Sequence, residues 1–233
     1  MTWSWPAPTE RPVIAPSLLS ADFARLGDEI TAVEKAGADL LHLDVMDGQF
    51  VANITLGPVV IEGIRKLTKL FLDTHLMIVE PSRYVAEFRA AGCDGITVHV
   101  EACADLGETL AAVRESGARV GLSLNPDTPL DPWIDYLGDI DLLLLMTVFP
   151  GRGGQSFMPE VLPKIERAAG LRASEGFHYA IEVDGGISPK TAPWVREKGA
   201  DVLVAGSAIF KNPPYATPIG AMRAAAAIPP VRR

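Results

Sequence analysis

Several features are scarce in this chain of 233 residues. Its two cysteines, Cys93 and Cys103, are too few for a disulfide framework and indicate reduced thiols in a cytoplasmic protein. Basic residues number 21 against 29 acidic ones, and the formal net charge of −8 argues against nucleic acid as the main partner. No stretch approaches roughly 18 charge-free apolar residues, so no membrane span is predicted.

The first residues, MTWSWPAPTERP, also lack the apolar stretch of a signal peptide. We interpret residues 1–12 as a loose N-terminal tail. Its two tryptophans, Trp3 and Trp5, either pack on the barrel or on a neighbouring subunit, or belong to a disordered segment. Residues 13–233 contain no linker or shift in composition and are predicted to form a single domain.

Apolar, β-branched runs recur along this domain with amphipathic helical segments between them. Strands are predicted at Val13–Pro16, Leu40–Val45, Leu70–His75, Ile96–Val100, Val120–Leu124, Leu142–Val148, Ala180–Val183 and Val202–Ala205. Helices are predicted at Asp22–Ala36, Val59–Leu67, Ser82–Ala91, Asp105–Ser116, Leu130–Tyr136, Pro159–Ser174, Pro189–Lys198 and Ile219–Ala227. Strands that are apolar throughout indicate a parallel sheet, and eight such units favour an α/β (β/α)8 TIM barrel over an open doubly wound sheet.

Histidines and aspartates stand where three of these strands end. His42 and Asp44 share one face of the second strand, His75 closes the third and Asp184 closes the seventh. Because chemistry in such barrels lies at the carboxyl ends of the strands, we expect these side chains to meet. Two imidazoles and two carboxylates suit a divalent metal: Zn²⁺ is preferred, with Fe²⁺, Mn²⁺ or Co²⁺ as alternatives.

Other polar residues near the predicted metal ligands are expected to orient those ligands or to hold loops in place. Asp73 faces as His75 does and is expected to orient that histidine. His99 is expected to make a hydrogen bond at the barrel mouth, with a direct site role as the alternative. Asp47 is expected to anchor a loop.

Three glycine-rich turns follow the last three strands. Any one of them could be only a tight turn, but three in sequence, each leading into a helix, predict a cup of backbone N–H groups for a phosphate ester. Arg152 either adds charge to this cup or points into solvent. The residues of the cup are Gly151, Arg152, Gly153, Gly154, Gly185, Gly186, Gly206 and Ser207.

These groups together predict a reaction. A metal can stabilise an enediolate formed from a hydroxyketone, and a nearby carboxylate can remove the proton from the adjacent carbon. Asp44 and Asp184 lie on separated strands, so one can remove a proton and the other can return one to the opposite face, which gives the epimer. Ser17 is expected to donate a hydrogen bond to the substrate. Three methionines, Met46, Met77 and Met146, either line the substrate or fill the core.

Several segments resemble the ribulose-phosphate 3-epimerase family over about residues 13–210. They are IAPSLLSADF, LHLDVMDGQFVANITLGP, DTHLM, TVHVEA, MTVFPGRGGQSF, EVDGGI and AGSAIF. The resemblance implies a ribulose-phosphate-binding barrel that interconverts D-ribulose 5-phosphate and D-xylulose 5-phosphate in the pentose phosphate pathway. It further implies a homo-oligomer, either a dimer or a hexamer.

The resemblance also implies residue roles. One divalent metal per subunit would be bound by His42, Asp44, His75 and Asp184, and the two aspartates would be the acid–base pair. Substrate contacts would include Ser17, His75 and the glycine turns. The chain departs from the family pattern at Phe149 and Arg152, which puts side-chain contacts from that loop in doubt, and at Ala52 and Leu56 beside the site.

Four alternatives stay open. A sister epimerase for allulose 6-phosphate would keep the same metal and acids. A Schiff-base aldolase is disfavoured because none of the seven lysines ends a strand. Related decarboxylases and synthases carry an Asp-x-Lys-x-x-Asp signature, whereas the segment that starts at Asp44 has no lysine. A non-catalytic sugar-phosphate or metal sensor is disfavoured because both acids are present.

Overall fold

The computed structural model describes residues 11–227, in which eight strands alternate with helices. The strands are β1 Val13–Pro16, β2 Leu40–Met46, β3 Phe71–Met77, β4 Gly95–His99, β5 Arg119–Leu124, β6 Leu142–Met146, β7 Ala180–Asp184 and β8 Val202–Ala205. The α-helices are α1 Leu26–Lys35, α2 Pro58–Leu67, α3 Val85–Ala91, α4 Leu106–Glu115, α5 Leu162–Glu175, α6 Ala192–Glu197, α7 Ser207–Phe210 and α8 Ala216–Ala225.

Every strand pair in the sheet is parallel, in the order β1-β8-β7-β6-β5-β4-β3-β2. The remaining gap, between β1 and β2, is bridged by the backbones of Ser17 and His42. The sheet is therefore a nearly closed barrel, and the prediction of a (β/α)8 fold is confirmed. The open doubly wound alternative is wrong because β1 pairs with β8.

Successive side chains of each strand point to opposite faces of the sheet, which separates apolar residues from candidate functional residues. In β2, Leu41 and Leu43 join the large apolar cluster that also contains Ile61 and Ile64 of α2. The intervening residues face the barrel interior, where they form layers from bottom to top. The lowest layer is apolar and includes Leu40, Phe71, Leu142 and Ala180; polar residues lie above it.

Some predicted helix boundaries are wrong. The segment predicted as a helix from Asp22 begins as a 3₁₀ turn, Phe23–Arg25, and α1 starts only at Leu26. Asp22 caps the turn by accepting from the backbone N–H of Ala24, as its short polar side chain favours. Phe23, which lies within the segment predicted as a helix, is 48% exposed.

Other differences are local. The predicted helix at Leu130–Tyr136 is a 3₁₀ segment over Asp131–Asp139, and the strand predicted to reach Val148 ends at Met146. The predicted division at residue 12 stays a prediction, as does the extent of the domain to residue 233. Trp3 and Trp5 lie outside the described residues. Within the described range, no helix is long and apolar enough to cross a membrane.

Candidate active site and metal centre

Four predicted ligands come together at the carboxyl ends of β2, β3 and β7. The candidate ligand atoms of His42, Asp44, His75 and Asp184 all lie within 4.8 Å of one another. Asp44 is at their centre, because its Oδ1 lies 3.5 Å from His42 Nε2 and 3.4 Å from His75 Nδ1. The parallel register places Asp44 beside His75, which explains why two separated sequence motifs converge.

The donor atoms of this cluster fit a divalent cation. His42 Nε2 and His75 Nδ1 are buried and have no hydrogen-bond partner. Leaving a buried nitrogen unpaired costs on the order of 1–3 kcal/mol, so such atoms normally have a reason to be free. Both nitrogens face the same carboxylate oxygen, and together with Asp184 they provide the mixed N/O set that Zn²⁺ and related ions prefer.

The orientation of the histidines differs from our prediction for Asp73. Asp73 was expected to hold His75, but its Oδ2 lies 2.5 Å from Nδ1 of His42 instead. The reason is the register, because Asp73 pairs directly with His42 across β2 and β3. His75 is held by His99, with 2.8 Å between their Nε2 atoms, so the expected hydrogen-bonding role of His99 is confirmed.

Two further predicted residues are placed beside the cluster. The hydroxyl of Ser17 donates to Oδ2 of Asp44 at 2.5 Å, so this serine is connected to the acid–base candidate. Asp47 accepts the backbone N–H groups of Gln49, Phe50 and Val79, which confirms that it anchors the loop after β2.

A cleft lined by Asp44 and Asp184 opens above the cluster. Most predicted site residues line it: Ser17, Asp44, Met46, Met77, Met146, Gly151, Arg152, Gly153, Gly154, Asp184, Gly185, Gly186, Gly206 and Ser207. His42 and His75 are not among the lining residues, and both are buried. Arg152 is exposed in the loop after β6.

The prediction that each glycine turn leads directly into a helix is largely wrong. Only Gly206 is followed at once by a helix, the four-residue α7. After Gly186 the next helix, α6, begins at Ala192, and the loop after β6 continues to a 3₁₀ turn at Pro159. The predicted anion site would therefore depend on backbone groups of the turns rather than on aligned helix ends.

Several cleft residues were missed: Leu19, Ser20, Val148, Ile187 and Val204. Pro150 and Gln155, which begin and end the glycine-rich turn after β6, also line the cleft. Ser20 faces Gly206, because a Cβ placed on Gly206 would lie 2.5 Å from the Ser20 hydroxyl oxygen. No repeated pattern in the sequence marks these positions.

Glu182 is the most consequential residue near the cluster that was not predicted. It is fully buried in β7, and its Oε1 lies 3.4 Å from His42 Nδ1. Burial, together with the negative charge of Asp73, raises the pKa of Glu182 well above its ordinary value. The sequence could have predicted this position, because Glu182 precedes Asp184 by two residues and therefore shares its face of the strand.

The two aspartates have opposite pKa shifts. Burial alone would raise the pKa of Asp44, but the charge and hydrogen bond of His42 outweigh it and hold that pKa below its ordinary value. Burial and the negative charge of Asp44 raise the pKa of Asp184 to about 7. Two carboxyl groups with separated pKa values are suited to different acid–base roles.

The fold and the site define a barrel enzyme with a candidate metal centre beneath a glycine-lined cleft. Residues 13–210 match the ribulose-phosphate 3 epimerase family. The chain is 54% identical over 214 residues to the ribulose-phosphate 3-epimerase of a Synechocystis strain, covering 91% of this chain and 93% of that relative. It is 52% identical over 198 residues to the Bacillus subtilis enzyme, covering 84% and 91%. This chain belongs to the ribulose-phosphate 3-epimerase family.

Solved structures with the same fold are more distant in sequence. A 3-hexulose-6-phosphate synthase from Salmonella typhimurium superimposes with a TM-score of 0.67 at 18% identity, covering 91% of this chain and 97% of that chain. A tryptophan synthase α-subunit from Pyrococcus furiosus gives a TM-score of 0.63 at 16% identity, covering 95% and 98%. These similarities support the barrel fold alone.

Proposed function

We propose that this protein epimerises D-ribulose 5-phosphate and D-xylulose 5-phosphate at C3, using Asp44 and Asp184 as its two proton-transfer groups. The observation that carries the proposal is the meeting of these two carboxyl groups, from β2 and β7, at one cluster that opens into the cleft. Family membership supports the reaction and the pentose phosphate substrate.

The opposite pKa shifts of the two aspartates support separate roles. Ionised Asp44 would accept the proton from C3 of the substrate, while protonated Asp184 would supply a proton to the other face of the same carbon. The electron pair of the broken C–H bond moves into the neighbouring carbonyl, which gives an enediolate. Protonation from the opposite face returns the pair to C3 and inverts it. The reverse reaction exchanges the two roles.

The surrounding residues prepare this proton transfer. The hydroxyl of Ser17 holds one oxygen of Asp44, which leaves Oδ1 directed towards the two histidine nitrogens. Asp73 and His99 fix the two imidazole rings. A divalent ion held by the four ligands would act as a Lewis acid towards the substrate oxygens. Glycines and Ser207 around the cleft are proposed to bind the phosphate through backbone groups, with Arg152 beside them.

Finer properties are also proposed. Zn²⁺ is the preferred ion because the four-ligand N/O set is typical of it, and one ion is expected per subunit. The unpaired thiols of Cys93 and Cys103 are consistent with a cytoplasmic location. A homo-oligomer is proposed as well; Ile54 and Val59, which are 76% and 86% exposed, are the kind of apolar residues that a second subunit would cover.

The activity is tested by measuring kcat/KM of the purified protein with ribulose 5-phosphate and with allulose 6-phosphate. We expect a clear preference for the five-carbon sugar, and a preference for the six-carbon sugar would contradict the proposal.

The acid–base roles are tested by Asp184→Asn, which we expect to lower kcat by about 10³-fold or more at saturating metal. Asp135→Asn, an exposed aspartate on the 3₁₀ segment, is the matched control and should leave kcat unchanged. If Asp184→Asn also keeps a rate near that of the unmodified enzyme, the two-base proposal is wrong.

A further inference from the structure

We infer that Glu101 is a positioning residue that acts through His99 to fix which nitrogen of His75 carries hydrogen, and thereby keeps His75 ready to bind the metal. The inference rests on the proposed function and assigns a role to a glutamate outside the cleft. Glu101 Oε2 lies 3.0 Å from His99 Nδ1, and His99 Nε2 lies 2.8 Å from His75 Nε2. The far nitrogen of His75, Nδ1, faces Asp44.

Hydrogen-bonding roles determine the tautomers along this chain. A carboxylate can only accept, so His99 must carry its hydrogen on Nδ1. The neutral ring of His99 then presents a lone pair at Nε2 and must accept from His75. His75 therefore carries its hydrogen on Nε2 and leaves Nδ1 with a free lone pair. That nitrogen is the one that has no hydrogen-bond partner and faces the cluster.

Burial makes the chain of hydrogen bonds decisive. The side chains of His75 and His99 are fully buried, so solvent does not offer alternative partners. Phe50 packs against the ring of His99, with 4.9 Å between ring centres.

The carboxylate is itself held in one orientation. Its other oxygen, Oε1, accepts from the backbone N–H of Asn125 at 2.8 Å and from the hydroxyl of Thr128. Lys164 fixes the same loop by donating to the carbonyl groups of Asn125, Pro126 and Thr128. Glu101 therefore has one oxygen committed to the loop after β5 and the other committed to His99.

This division of the two oxygens makes Glu101→Gln a sharp test. The amide oxygen of glutamine must take the side where the backbone N–H of Asn125 donates, because an NH₂ group there would face that N–H. The NH₂ group is then directed at His99 Nδ1 and requires a lone pair there. His99 would present hydrogen at Nε2, and His75 would be forced to carry its hydrogen on Nδ1, the nitrogen needed for the metal.

The direct measurement is the ¹⁵N NMR spectrum of the histidine side chains in chelator-treated, metal-free protein at pH 8. The chain has four histidines, so each signal can be assigned by single substitutions. In the unmodified protein we expect hydrogen on Nδ1 of His99 and on Nε2 of His75. Both should be reversed in Glu101→Gln. Unchanged tautomers in a folded Glu101→Gln variant would overturn the inference.

Metal affinity gives the second readout, with Co²⁺ as the probe in competition with a chromogenic chelator. We expect Glu101→Gln to weaken Co²⁺ binding by about 10–100-fold and to alter the visible spectrum of the bound ion. Glu62→Gln, the same change on the exposed surface of α2, is the control and should leave both unchanged. Equal Co²⁺ affinity in the two variants would contradict the relay.

A double substitution separates the relay from a general loss of structure. In His99→Gln, an amide oxygen can accept from His75 Nε2 without help from Glu101, so adding Glu101→Gln should then change Co²⁺ affinity less than about threefold. The same 10–100-fold loss in both backgrounds would show that Glu101 does not act through His99. Epimerisation by the unmodified enzyme is assayed separately, so failure of the relay leaves the proposed function standing.

Discussion

At the scale of single residues, the chemistry depends on how burial and charge separate similar side chains. Asp44 and Asp184 are both aspartates at strand ends, yet the pKa of Asp44 is lowered beside His42 and that of Asp184 is raised to about 7. Type and spacing were enough to predict which residues meet. The pKa differences depend on distances between strands that are far apart in sequence, so the sequence could not predict them.

The missed residues show the same limit. Glu101 belongs to the 3₁₀ turn after β4, and its importance depends on the loop after β5, which the sequence does not place beside it. Asp73 was assigned to the wrong histidine because residues two apart on one strand share a face, whereas the nearer partner is directly across on β2.

Glu182 gives a residue-scale prediction about stability in the metal-free protein. Its pKa in the folded state is raised above the ordinary value of 4.5, so the unfolded chain loses this proton at a lower pH than the folded protein does. The group therefore lowers the free energy of unfolding progressively as pH rises above about 4.5. Glu182→Gln cannot ionise and should become more stable relative to the unmodified protein between pH 4.5 and 8.

Urea unfolding at several pH values, with chelator present, checks this prediction. Glu62→Gln, on an exposed glutamate paired with Lys66, is the comparison variant and should show no such gain relative to the unmodified protein. A stability difference between Glu182→Gln and the unmodified protein that stays constant over this range would mean that Glu182 is ionised in the folded state.

At the scale of elements, the sequence predicted the strands well because buried parallel strands are apolar runs bounded by glycine and charge. The strands β1 and β8 have the predicted limits. The first residues of the α-helices were harder to predict, because a 3₁₀ turn and an α-helix have similar residues near a cap. The turn at Phe23–Arg25 and the 3₁₀ segment after β5 are examples.

The turn after β7 gives an element-scale prediction. Gly186 and Gly154 have similar positive φ angles, 66° and 74°, so an alanine at either position costs roughly 1–2 kcal/mol of backbone strain. A Cβ at Gly186 would also lie 2.4 Å from the backbone nitrogen of Phe157, whereas nothing lies within 4 Å of one at Gly154. Gly186→Ala should displace the turns that line the cleft.

We expect the KM for ribulose 5-phosphate to be about tenfold higher in Gly186→Ala than in Gly154→Ala. This ratio corresponds to about 1.4 kcal/mol of binding free energy. Steady-state kinetics of the two variants provide the comparison. Equal KM values would mean that the close approach of the turns after β6 and β7 has no part in binding the substrate.

At the scale of the whole molecule, the barrel interior is ordered in layers. An apolar layer with Leu40 and Phe71 closes the bottom, His42 and Asp73 lie above it, and Asp44 and His75 lie above these. The position of the polar layers could be predicted from the sequence. In such barrels the carboxyl ends of all strands lie on one side, and the chemistry lies there. Closure of the barrel depends on the pairing of β1 with β8, which no local pattern specifies.

Oligomeric state is the whole-molecule property to be measured next. Light scattering of the purified protein should give a mass of two or six subunits of 24.9 kDa each. Val59→Glu places a charge on an 86% exposed apolar position and should reduce that mass. A mass of 24.9 kDa for the unmodified protein at micromolar concentration would contradict the proposed oligomer.

The central claim is that Asp44 and Asp184 serve opposite faces of one carbon, and proton exchange in D₂O tests it most directly. Asp44→Asn and Asp184→Asn, each at saturating Zn²⁺, are incubated separately with ribulose 5-phosphate and with xylulose 5-phosphate. The remaining aspartate in each variant should exchange the C3 hydrogen of one epimer without converting it. The two variants should therefore exchange opposite epimers. Exchange of the same epimer by both variants would contradict the two-base account.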